Sequence, residues 1–100
     1  SVVLLEPRWP EVPPWREFKR RVDGMLHAMD GGLWLHRHRW MGRTIAHLVS
    51  TNHARLLAVA IEIRFPVERL QFKPLKDPRT GVQRDAWHFD LGGPFLPPRG

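Results

Sequence analysis

The chain contains no cysteine and no tyrosine in its 100 residues. Without cysteine, disulfides and thiolate metal ligands are excluded, and the usual clue to a redox compartment goes with them. Without tyrosine there is no phenolic nucleophile. Long hydrophobic runs are missing too. Val2-Val3-Leu4-Leu5 falls far short of the roughly 20 apolar residues of a spanning helix and is too short for a signal core, so the expectation is a cytoplasmic protein without membrane contact. Lysine is scarce, since thirteen of the sixteen basic residues are arginine. Against ten acidic residues they leave a net charge of +6 with histidine neutral. Arginine pairs bidentately with phosphate and stacks on bases, which points toward nucleic acid; the plainer reading is general replacement of lysine by arginine.

Five tryptophans, five phenylalanines and an apolar content of 42% suit a packed core rather than a disordered chain. At this length residues 1–100 make one domain, which buries about 65% of the surface its unfolded form exposes. The ten prolines gather near the ends and leave a compact middle. Residues 92–100 form a Pro-rich tail.

Trp34 to Ser50 organises the rest. Two runs rich in Trp, Leu, Ile and Val flank Met41-Gly42-Arg43, which reads as a β-hairpin. With a two-residue loop, Trp40 faces Arg43, His38 faces Ile45, His36 faces His47 and Trp34 faces Val49. Opposed residues share a face. His36, His38 and His47 then cluster on one side, and Leu33, Leu35, Ala46 and Leu48 take the other. A three-residue loop with a bulge would pair Trp40 with Thr44 and send His47 to the side of Arg37 and Arg39. The apolar pattern favours the first register, which sets Leu35 against Leu48.

Elsewhere Val2 to Leu5 reads as a short strand stopped by Pro7. Trp15, Phe18, Val22, Met25, Leu26 and Met29 recur at helical spacing from Trp15, with Asp30-Gly31-Gly32 as the stop. His53 to Arg64 is a second helix, preceded by capping residues Ser50-Thr51-Asn52 and closed by Pro66. Val67 to Phe72 is a strand candidate, Lys73 to Ala86 an exposed loop, and Trp87 to Leu91 an alternating last strand. The order matches a ferredoxin-like (split βαβ) antiparallel sheet in an α+β fold. Both helices are then expected on one face, with an extra C-terminal strand and a free face for a second copy as a homodimer.

Chemistry concentrates in short motifs. His36-Arg37-His38 and His88-Phe89-Asp90 each put two polar groups on one strand face. If the last strand lies beside the hairpin, His47, His88 and Asp90 are the candidate catalytic residues, with the histidines as acid and base and Asp90 orienting one of them. His36, His38 and His88 are the candidate metal ligands, and a divalent ion is the cofactor they suit. Hydrogen-bonded surface histidines are the plainer alternative. Trp34 and Trp40 are candidate stacking platforms, with Arg37, Arg39, Arg43, Lys73, Lys76, Arg79 and Arg84 as candidate nucleic-acid contacts; core tryptophans are the alternative. His36-Arg37-His38 resembles the His-x-His of rolling-circle and relaxase nucleases, but Arg37 stands where they need an apolar residue and the nucleophilic tyrosine is missing.

His47-Leu-Val-Ser50, Leu56-Leu-Ala-Val-Ala60-Ile61, Gln71, Trp87-His-Phe-Asp-Leu91 and the opening Glu6-Pro-Arg-Trp-Pro10 together resemble a short bacterial and phage domain of unknown function. Its pattern runs Trp, His-Leu-Val-Ser-Asp, a Glu-Leu-His helix ending Ile-Gly, and His-Tyr-Asp-Leu. About half of the chain is covered. Thr51 replaces the Asp, Arg64 stands near the Gly, and a whole helix is added between the two Trp motifs. The resemblance singles out His47, His88 and Asp90 and implies no activity. The expected function is nucleic-acid binding, with a His-dependent phosphodiesterase or nuclease, metal-assisted or not, as the alternative, and a phage-like or multiprotein assembly subunit as the third.

Overall fold

The structure is a computed structural model that describes residues 6–99. The expected strand at Val2 to Leu5 lies outside the described residues. Among the described residues, seven strands and two α-helices appear in the order β1 (Trp15–Arg16), α1 (Arg21–Met29), β2 (Leu33–Trp40), β3 (Arg43–Ser50), α2 (His53–Ile63), β4 (Gln71–Phe72), β5 (Leu75–Lys76), β6 (Gln83–Arg84) and β7 (Trp87–Leu91). It is a mixed α+β fold whose main sheet, ordered β1-β2-β3-β7-β4, is antiparallel except where β1 runs parallel to β2. No helix among the described residues is long and apolar enough to cross a membrane.

The β2–β3 hairpin adopts the two-residue register. Met41 and Gly42 have φ values of 48° and 77°. Positive φ at both central residues marks a type I′ turn, whose twist matches that of the flanking strands. Trp34 therefore pairs with Val49, His36 with His47 and His38 with Ile45. The last strand forms as expected and pairs with β3, bringing His47 opposite Asp90 and Val49 opposite His88. In α2, the Asn52 side chain accepts the Arg55 backbone N–H at 3.0 Å, and Arg64 ends the helix in the left-handed region.

Leu33, Leu35, Ala46, Leu48, Phe89 and Leu91 bury against Leu56, Val59, Ala60 and Ile63 of α2. This is the main core, and the tail seals it: Phe95 and Leu96 pack on it and Pro97 is fully buried. The opposite face meets α1, where Ala28 packs with Trp34 and Val49, joined by Phe18, Met25 and Leu75.

Three expectations are corrected. The two helices lie on opposite faces, because Trp34 and Val49 carry enough apolar surface on the histidine side to hold α1. The described sheet also departs from the split βαβ order: β1 and β2 are parallel neighbours, and β3 pairs directly with β7 with no strand between them. Finally, α1 begins at Arg21 rather than Trp15. Trp15 and Phe18 look like one helical stripe but serve different cores, Trp15 the leucine side and Phe18 the histidine side.

Residues 73–86 form a small hairpin rather than an unstructured loop. Asp77 caps its turn, accepting the Arg79 backbone N–H at 2.9 Å. Arg84 donates to the Met29 carbonyl at 3.1 Å and Arg79 reaches Asp30 at 3.3 Å, which ties the hairpin to the end of α1.

Candidate active site

Strand alternation and the two strand registers assemble the site. Trp34, His36 and His38 of β2, His47 and Val49 of β3, and His88 and Asp90 of β7 all point to one face. Between them and the hairpin of residues 73–86 lies a cleft of about 280 Å³. Trp34 and Val49 line it with the four imidazoles of His36, His38, His47 and His88, and Arg21, Lys73 and Leu75 complete the wall.

The polar centre is compact. His47 Nδ1 lies 2.5 Å from Asp90 Oδ1, and His88 Nε2 lies 3.3 Å from the same oxygen. Gln71 donates through Nε2 to the other oxygen, Oδ2, at 2.8 Å. One carboxylate thus gathers two imidazoles and is itself held from outside. The remaining rings form a row: Trp34 stacks on His36 at 5.3 Å, His36 on His38 at 6.1 Å and His38 on His47 at 4.3 Å. His88 meets His47 edge-on at 5.3 Å.

Burial lowers the basicity of His47 below its ordinary value, with further depression from His38 and His88 and partial recovery from Asp90. Burial and the Lys73 ammonium do the same to His88, again against Asp90. His36 is depressed by burial, Arg21 and the neighbouring imidazoles. Burial pushes the Asp90 carboxyl up, but the Gln71 hydrogen bond and the two imidazoles outweigh it and hold it below the usual carboxylate range. At neutral pH the centre therefore holds neutral imidazoles and an ionised carboxylate. As neutral rings, His47 and His88 donate N–H to Asp90 and keep a lone pair on the opposite nitrogen. Among the described residues, His38 Nδ1 is the buried side-chain polar atom that lacks a hydrogen-bond partner.

No family model, curated protein or solved structure matches the chain. The geometry alone therefore carries the comparison with expectation. His47, His88 and Asp90 come together as the sequence led us to expect. His36 and His38 enter the same cleft, but the donors that close on a common point are His47, His88 and Asp90, within 4.8 Å of one another. The expected nucleic-acid surface does not assemble as one patch. Trp34 is 3% exposed, and a Cβ on Gly24 of α1 would stand 2.1 Å from its ring, so no base reaches that face. Arg37 and Arg39 alternate onto the leucine side. There Arg37 is held by Glu17 at 2.8 Å and the Pro97 carbonyl at 2.6 Å, and Arg39 donates to the Gly42 carbonyl at 3.1 Å. Arg79 and Arg84 are engaged in anchoring the small hairpin, whose strand β5 carries Lys76 exposed. Trp40, 56% exposed, and Arg43 sit at the hairpin tip, and Lys73 lines the cleft.

Two residues gain a place that sequence reasoning did not assign. Arg21 reaches the cleft only because α1 lies on the histidine side, with its guanidinium 5.6 Å from the Trp34 ring centre. Gln71 acts through the pairing of β4 with β7. Arg21 carries no local signal, and Gln71 entered only through the resemblance, without a role.

Proposed function

We propose that the cleft hydrolyses a phosphodiester, with nucleic acid as the polymer that supplies it. The observation that carries this reading is the convergence on Asp90 of His47 and His88, two lining residues of the cleft that Lys73 and Arg21 also border. The two cations suit the phosphate oxygens. The histidine and aspartate cluster polarises a water. Its oxygen forms the new P–O bond, the ester P–O bond breaks, a cleft imidazole takes the water's proton, and the departing oxygen is protonated in turn. His36, His47 and His88, whose basicity is lowered by burial, are suited to accepting that proton near neutral pH. The net charge of +6 favours a polyanionic substrate.

The test is hydrolysis of bis(4-nitrophenyl) phosphate and of labelled single-stranded DNA and RNA by the purified chain. We expect turnover by the wild type and a loss of about a hundredfold or more in Asp90→Asn, the scale at which positioned acid–base groups contribute. Absence of turnover on all three substrates overturns the reading, as does an unchanged rate in Asp90→Asn.

A further inference from the structure

One donor atom from each of His47, His88 and Asp90 lies within 4.8 Å of the other two. We propose that His47 Nδ1, His88 Nε2 and the Asp90 carboxylate hold a divalent first-row transition ion, zinc being the probe. This rests on the hydrolytic reading in that it names what activates the water.

Three observations support it. First, the donor atoms lie within 4.8 Å of one another, and the His88 to Asp90 separation is 3.3 Å. With bonds of about 2.0 to 2.1 Å, the donors of a tetrahedral zinc site stand roughly 3.3 Å apart. The His47 to Asp90 pair, at 2.5 Å, has to open, and the His47 to His88 pair, within 4.8 Å, has to settle at that spacing. Second, two imidazoles and one carboxylate are a donor set for zinc and its neighbours rather than for magnesium or calcium, which take oxygen. Three protein ligands leave a coordination position open, the pattern of catalytic rather than structural sites. Third, the set is pre-built. His47 and Asp90 are a register pair on adjacent strands, His88 is two residues along β7, and Gln71 holds Asp90 Oδ2 at 2.8 Å as an outer partner.

Ligation needs no net loss of protons from the rings. The N–H hydrogens now facing Asp90 move to the opposite nitrogens, His47 Nε2 and His88 Nδ1. Arg21 and Lys73 oppose a bare cation in the cleft and favour one bridged by an anionic phosphate oxygen. Inorganic phosphate is therefore expected to tighten zinc binding.

The full chain, stripped with chelator, is titrated calorimetrically with zinc. We expect one zinc per chain, and binding weakened by more than about tenfold in His47→Gln, His88→Gln and Asp90→Asn. His53→Ala, at an exposed histidine on the α2 side, should leave it unchanged. Cobalt in the wild type gives a reading that no variant is needed for: the intense visible bands of a four- or five-coordinate site are expected. The weak spectrum of aqueous cobalt, absence of stoichiometric zinc, or binding that survives Asp90→Asn and falls in His53→Ala would each overturn the site. Its failure is separable from that of the hydrolytic reading. Diester turnover that persists after chelation removes the metal and keeps the hydrolysis, whereas zinc on these three ligands without turnover does the reverse.

Discussion

The two faces of the central sheet are written by the same alternation along β2, β3 and β7, yet they have opposite roles. On one, Leu33, Leu35, Leu48, Phe89 and Leu91 meet α2 and the tail. On the other, α1 covers the Trp34 and Val49 end and leaves the imidazoles lining an open cleft. What differs is the covering element, not the sheet. Burial of the first face supplies the hydrophobic stabilisation. The second holds half-buried polar groups whose basicity is displaced from ordinary values, which is where chemistry is placed.

Truncating the dry face should have the largest effect. Leu48→Ala, at a fully buried position, is expected to cost about 2 to 5 kcal/mol in urea unfolding. One residue along, on the histidine side, Val49→Ala should cost clearly less, and equal costs would break the contrast between the faces. Next comes Asp90→Asn, with about a hundredfold less diester turnover, close to 2.7 kcal/mol of transition-state stabilisation, and little change in thermal midpoint. A drop in the midpoint matching that of Leu48→Ala would make Asp90 a structural residue instead. Gly24→Ala sharpens the comparison from the helix side, since its Cβ would meet the Trp34 ring at 2.1 Å. Overpacking there should cost about 1 to 3 kcal/mol by thermal unfolding. Gln71→Leu, which removes the outer hold on Asp90, should lower turnover about tenfold and shift its pH profile, because Gln71 helps to keep that carboxyl ionised.

The smallest expected effect is on stability against pH. His27, His36, His47 and His88 all have basicity lowered in the folded chain relative to their ordinary value of 6.5. The unfolded chain therefore binds protons more readily, so stability is fully present above that value and is lost progressively as pH falls below it. Urea midpoints at about pH 7.5 and about pH 5 should differ in that direction, and His36→Gln should narrow the gap. A midpoint that rises on acidification would contradict the burial of these rings.

Much of the candidate site was legible before the structure, because it depends on short-range pattern. Met41-Gly42 admits two positive φ values in succession, and that turn sets His36 opposite His47. Trp87 to Leu91 carries its alternation openly, and Asn52 announces α2. The walls of the cleft were not legible in this way. Arg21 and Lys73 arrive from elements whose side of the sheet is settled by packing, namely α1 through Trp34 and the small hairpin through Leu75. The start of α1 was hidden because Trp15 and Phe18 keep helical spacing while burying in different places. Arg37 and Arg39 look like surface cations from composition, and only the face parity shows them turned away from the histidines.

The pairing of β3 with β7 also bears on how the molecule reaches its native state. His47 and Asp90 are 43 positions apart in the chain, and closing a loop of that length costs roughly 3 kcal/mol beyond the constant term. The β2–β3 pairing closes over a two-residue turn, whereas the β3–β7 pairing spans α2 and the small hairpin. Nascent chains still lacking residues 87–91 carry the histidine row without its acid.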